Sequence, residues 1–211
     1  MITPLWPALV FLSYLLGSVP FGLVVGKLAK GLDVRQYGSG NIGTANVLRT
    51  MGRKWSVVVF LCDFGKAAVA VLLARWLVGV PALEAACAGA AVVGHTWSPY
   101  LGLKGGKGVA SGFGGFVALS PLAAVIVAVF GLAVMAISRY VSLGSILSSV
   151  FAIFVIAGLA WWGGQPVEYV VYAVLMAALI VFRHSENIAR LRAGTESRIG
   201  QKAEKRVEVV D

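Results

Sequence analysis

Between Lys107 and Glu168 the chain carries a single charged side chain, Arg139. A segment of that length without charge is far more apolar than a protein surface in water, and a bilayer's hydrocarbon core takes about 20 apolar residues for each helical crossing. Comparable apolar runs lie at about 5–29, 55–78, 82–101, 122–138, 142–162 and 167–183. Composition agrees: 59% of the 211 residues are hydrophobic and 13% charged, about half the charged share of a soluble domain. The expected fold is an all-α integral membrane protein.

The polar islands between these runs differ in charge. Lys27 to Lys54, Lys104 to Lys107, Arg139 and everything from Arg183 onward are basic. The N-terminus, the turns near Pro81 and Ser120–Pro121, and GGQPVE around Gln165 have almost no Lys or Arg. Basic loops stay in the cytoplasm, which places the N-terminus outside and the C-terminus inside. Parity then requires the short glycine-rich run at about 108–120 to cross as well, giving seven transmembrane helices. A single membrane domain, residues 1–200, is expected, with a polar and flexible cytoplasmic tail over 201–211. The net charge of +9 follows from this asymmetry, and no nucleic-acid motif accompanies it, so nucleic acid is not an expected partner. Cys62 and Cys87 lie in apolar segments without CxxC spacing, and neither histidine has the neighbours of a zinc ligand. No metal or cofactor is expected.

Three polar segments fall on the cytoplasmic side of this topology: GSGNIGTANVLR at 38–49, GHTWSPYLGLKGGKGVAS at 94–111 and RHSENIARLRAGTESR at 183–198. Glycine-rich backbone can turn successive N–H groups inward as a concave anion site. Arg49 offers a planar fork for phosphate oxygens, and Lys104 and Lys107 offer compact charge. Loop bending and topology would explain any one segment, but three on one face favour phosphate. GLKGGKGV is not a nucleotide P-loop, since Leu101 stands at the first glycine position and Gly108 follows the lysine. His184 is suited to donate to a phosphate or accept a proton, whereas His95 reads as a hydrogen-bonded structural residue. Asp63 and Lys66 share one helix face and should pair inside the bundle. They form either a neutralising structural pair or a source of positive potential beneath the phosphate site. A phosphate transporter is the competing class, but no repeated halves are evident.

The three segments resemble, in order and spacing, the three motifs of the bacterial acyl-phosphate:glycerol-3-phosphate acyltransferases, the PlsY family. The departures are small: Thr44 precedes Ala45 where the family has Ala then Thr, Ser111 replaces Thr, and Ser185 stands where a basic residue is common. Neither histidine begins the His-x-x-x-x-Asp motif of other glycerolipid acyltransferases, Tyr100 and Ala189 occupying the fifth positions after them. The resemblance implies transfer of a fatty acyl group from acyl phosphate to the sn-1 hydroxyl of glycerol 3-phosphate. The products would be lysophosphatidate and phosphate, at the cytoplasmic side of a bacterial cell membrane, in the first step of phospholipid biosynthesis. It also implies a soluble partner enzyme that makes the acyl phosphate. On these residues, catalytic roles are expected for Ser39, Arg49, Lys104, His184 and Asn187. Phosphate binding is expected from Gly40, Asn41, Gly43, Asn46, Gly105, Gly106, Lys107 and Gly108, with Glu196, Asp63 and Lys66 as structural support.

Overall fold

A computed structural model describes residues 5–205. Among the described residues all regular structure is helical, apart from one isolated antiparallel bridge between Tyr37 and Lys205. The elements are α1 (Leu5–Ser18), α2 (Phe21–Lys30), α3 (Thr44–Met51), α4 (Arg53–Leu77), α5 (Pro81–Thr96), α6 (Val109–Leu119), α7 (Pro121–Ser138), α8 (Val141–Trp161), α9 (Val167–Arg183) and α10 (Ser185–Arg192).

Proline accounts for two departures from the expected helices. The run at 5–29 breaks between α1 and α2 because Pro20 has no N–H to continue the ladder. The run at 82–101 ends at Thr96, since Pro99 disfavours helix in the residue before it; a short 3-10 turn over Pro99–Leu101 follows. The first polar segment, expected as loop, contains α3, with Gly43 at its N-cap position.

Four stretches are long and apolar enough to cross a membrane: Leu5–Lys30, Arg53–Leu77, Pro121–Ser138 and Val141–Trp161. A fifth exists if α9 and α10, bent by 58° at His184, count as one. Seven full-length crossings are not what helix lengths give. With 11 residues, α6 extends about 16 Å, half the hydrocarbon core. The chain from 201 also differs from the expected loose tail, because Gly38 N–H donates to Glu204 O (2.9 Å) and Ala203 N–H to Arg49 O (3.1 Å). Residues 206–211 of that tail lie outside the described residues.

Small residues let the helices close on one another, as lipid gives no hydrophobic drive to associate. Gly17 and Gly94 bring α1 and α5 into backbone contact at Ala91 and Tyr14, and Gly114 does the same for α6 against Phe64 of α4. Replacing Gly94 with Leu would drive a side chain into the Tyr14 carbonyl. The expected result is a loss of about 1–3 kcal/mol or more, read as a lower unfolding temperature of the detergent-purified protein.

Candidate active site

The loop that opens the first polar segment is tied by one side chain. Asn46, buried on α3, turns the two hydrogens of Nδ2 toward three carbonyls, those of Val34 (2.9 Å), Tyr37 (3.1 Å) and Asn41 (2.8 Å), one hydrogen being shared, and its Oδ1 accepts from Ser39 N–H (3.1 Å). Gly38 and Gly40 take left-handed φ of 53° and 70°, which a glycine adopts without strain. Asn46 is therefore saturated by the loop, a correction to its expected place among the phosphate-binding groups. Gly40 is corrected on the same ground: its N–H is committed to Tyr37 O (2.9 Å). Asn41 Oδ1 accepts from Gly43 N–H (2.8 Å), so Gly43 holds the turn rather than offering a free donor. What this segment leaves open is the start of α3, whose first N–H groups at Thr44 and Ala45 have no helical acceptor. Beside them Thr44 Oγ1 is buried without a partner. One turn further along α3, burial pulls the Arg49 guanidinium below its usual pKa, with Glu196 and Arg190 near enough to be felt.

In the second segment the two glycines are spent on backbone. Gly105 N–H donates to Thr96 O and Gly106 N–H to His95 O, each 3.0 Å. Their own carbonyls lie 3.4 Å from Nη2 of Arg183. Gly105 and Gly106 thus do not cradle a phosphate with their N–H groups as expected; they fix the position of the residue that follows. That residue, Lys107, reaches Asn187 Oδ1. Burial, reinforced by Arg190, lowers its pKa to about 8. Gly108, with φ of 81°, turns the chain into α6. Lys104 points away into solvent and does not line the cavity described below. Its expected catalytic place is corrected, because the tight turn from Ser98 to Gly105 carries the two lysines to different sides.

The third segment is organised by a carboxylate. Glu196 accepts from Asn187 Nδ2 (2.6 Å), Ser142 Oγ (2.8 Å) and Arg190 Nε (2.7 Å). Burial pushes this carboxyl up, but the three hydrogen bonds outweigh burial and hold it below its ordinary range. With its amide nitrogen given to Glu196, Asn187 must present Oδ1 to Lys107. His184 Nδ1 lies 2.7 Å from Ile180 O. A carbonyl only accepts, so Nδ1 carries the proton and Nε2 is left as an acceptor. Burial lowers the His184 pKa to about 4, so the ring is neutral near pH 7.

Asp63 and Lys66 pair as expected at 2.8 Å, with His95 joining them. Sequence reasoning missed Ser142, Thr44 and the clamp by Arg183. Ser142 had a signal: Ser142, Ser145 and Ser149 recur at helical spacing along the otherwise apolar α8.

These elements enclose one cavity of about 490 Å3. Its polar end is lined by Ser39, Asn41, Thr44, Arg49, Lys107, Ser142, His184, Asn187 and Glu196. Its other walls are mainly apolar side chains of α6 to α9, among them Phe116, Val127, Leu132, Ala152 and Met176, interrupted by Ser145, Ser148 and Ser149 of α8, while Asp63 and His95 also face the cavity.

A helical membrane protein with a cationic polar site opening into an apolar chamber is the architecture of an enzyme that joins a polar and a lipid substrate. The profile of the glycerol-3-phosphate acyltransferase family matches residues 7–194, and the chain belongs to that family. It is 43% identical over 198 residues to the glycerol-3-phosphate acyltransferase of Halalkalibacterium halodurans, covering 93% of this chain and 96% of the relative. It is 45% identical over 192 residues to that of Rubrobacter xylanophilus, covering 91% and 94%. The crystal structure of PlsY (YgiH), an integral membrane glycerol 3-phosphate acyltransferase in its glycerol 3-phosphate form, superposes with a TM-score of 0.86 at 41% identity, over 92% of this chain and 96% of that one. The lysophosphatidic acid form of PlsY gives 0.84 at 40% identity, over 92% and 95%. The chain is an integral membrane acyltransferase of phospholipid synthesis.

Glu196 generates a prediction. Its lowered pKa contributes stability above the unfolded carboxyl value of about 4.3, and that stability is lost as pH falls through the folded value. Glu196→Gln removes the charge from three donors and should cost about 1–3 kcal/mol in thermal unfolding at pH 7. The difference from wild type should shrink as the pH is taken below 4.

Proposed function

We propose that this protein transfers a fatty acyl group from acyl phosphate to the sn-1 hydroxyl of glycerol 3-phosphate, releasing lysophosphatidate and inorganic phosphate. The observation that carries this reading is the single cavity in which all three polar segments meet at one end of an apolar chamber. The acyl chain lies in the chamber and both phosphates lie at the polar end.

Charge sets the assignment. Two phosphate substrates bring about three to four negative charges. Arg49 and Lys107 oppose them, aided by the N-terminal ends of α3 and α6, each worth roughly half a charge. Ser39, Thr44 and the first N–H groups of α3 hold the acyl phosphate. Lys107, Asn187 and Ser142 hold glycerol 3-phosphate, with Arg49 between the two. The sn-1 oxygen attacks the acyl carbonyl, the new ester bond forms, and the bond from that carbon to the phosphate oxygen breaks. His184 Nε2 accepts a hydrogen bond from the attacking hydroxyl and orients it. With a pKa of about 4, that ring is a weaker base than a phosphate oxygen whose second pKa is about 6. The proton therefore passes to the departing phosphate. No covalent acyl-Ser39 is formed, since acyl phosphate is already activated.

The basic islands support seven crossings, with the N-terminus outside and the site on the cytoplasmic side of a bacterial membrane. There a soluble enzyme delivers acyl phosphate. Purified protein given palmitoyl phosphate and glycerol 3-phosphate should release phosphate and lysophosphatidate in equal amounts. Turnover with palmitoyl-CoA instead, or phosphate uptake by liposomes without chemistry, would replace the proposal. Lys107→Ala should lower kcat/KM for glycerol 3-phosphate about 10–100-fold. In wild type, kcat/KM should fall as pH rises through about 8, where Lys107 loses its proton; Lys107→Arg should remove that limb.

A further inference from the structure

Asp63 and Lys66 on α4 and His95 on α5 form a buried ionisable group at the cavity, which Asp63 and His95 help to line, and the transfer proposed above uses none of them. Lys66 Nζ donates to Asp63 Oδ1 (2.8 Å) and to Val19 O at the α1–α2 break (3.1 Å), and lies 2.8 Å from His95 Nδ1. An ammonium has three donors and no acceptor. All three protons are thus spent, Nδ1 of His95 accepts, and the ring carries its own proton on Nε2. Lys66 has no donor left for a phosphate, and its charge is balanced by Asp63.

What the group does is hold one imidazole still. The edge of that ring lies against Gly106, where an added methyl would overlap Nε2, Cε1 and Cδ2. Gly106 does not have a positive φ, so its backbone is not strained against a side chain in that way, and the three atoms nearest to an added methyl all belong to the ring. Gly105 is different: a methyl there would meet the His95 and Thr96 backbone. The dipeptide is held by the α5 carbonyls at its N–H groups and by Arg183 at its carbonyls. The next residue is Lys107.

We infer that Asp63, Lys66 and His95 are a positioning group for Lys107: the locked His95 ring is the surface on which Gly106 rests, and it sets where the Lys107 ammonium meets Asn187 and the substrate phosphate. This rests on Lys107 binding glycerol 3-phosphate. Residues from the α1–α2 break, α4 and α5 thereby act on a lysine whose side-chain hydrogen bond goes to Asn187 of α10.

A mutant cycle tests it. His95→Asn keeps an acceptor where Nδ1 meets Lys66 but has no atom in the place of Nε2. Glycerol 3-phosphate binding by titration calorimetry and kcat/KM with palmitoyl phosphate are measured for His95→Asn, Gly106→Ala, Gly105→Ala and both pairs with His95→Asn. Gly106→Ala should weaken binding about 30-fold, and adding His95→Asn should restore it to within about fivefold of His95→Asn alone, the non-additivity expected of touching residues. Gly105→Ala should not be rescued, because its methyl meets backbone. In Gly106→Ala the alkaline limb near 8 should move up as Lys107 leaves its buried position, and return in the rescued pair. If Gly106→Ala yields no folded protein, folded yield becomes the readout and must recover with His95→Asn only in the Gly106 pair. Losses that multiply in the Gly106 pair, or an equal rescue of Gly105→Ala, overturn the positioning role. Restored binding in a protein whose wild type does not turn over palmitoyl phosphate would instead remove the donor assignment and leave the positioning intact.

Discussion

The site depends on cations that the fold declines to neutralise. Lys66 and Arg190 each meet a carboxylate, Asp63 and Glu196, within hydrogen-bond distance. Among the described residues no carboxylate lies within ion-pair reach of Arg49 or Lys107. Burying such charges costs free energy that an internal partner would offset. Leaving them open keeps that gain for an anion that binds. Burial lowers the pKa of both, because the desolvation of each charge is not repaid by a carboxylate.

Holding two like charges near one another requires rigid support, and each segment provides it by a different device. The first uses the Asn46 amide to gather the carbonyls of its own loop. The second uses backbone pairing between the glycines and the end of α5. The third uses Glu196, whose oxygens tie α8 to α10 and turn the Asn187 carbonyl oxygen toward Lys107. In the first and third segments the most heavily hydrogen-bonded side chain is engaged by the protein itself. Asn46 and Glu196 are spent on geometry, which, among the described residues, leaves Arg49 and Lys107 without a carboxylate partner and His184 hydrogen-bonded through Nδ1 alone.

The apolar chamber follows from the same economy of small residues. Glycines on α1, α5 and α6 let backbones touch on the far side of the bundle. Larger side chains on α6 to α9, among them Phe116, Val127 and Met176, stand around open space instead. In the proposed reaction this shape would take a lipid tail into the protein while its headgroup stays with the cations.

The sequence by itself determined the class of fold, the position of most helices and the three segments that matter, because apolar run length and the placing of basic, glycine-rich stretches between the runs are properties of the chain alone. Arg49, Lys107, His184, Asn187 and Glu196 were legible as chemistry and do gather at one cavity. What only the tertiary structure decided was who is free. Asn46, Gly105 and Gly106 have the right groups for phosphate, yet those groups are consumed by carbonyls up to a dozen residues away. Lys104 and Lys107, three apart in one loop, part company because a turn aims them in different directions. Ser142 and Thr44 enter the site from helices that periodicity marks only as apolar or as loop. Hydrogen-bonding capacity can be counted from the residues, but whether it is already used depends on which backbone the fold brings beside them.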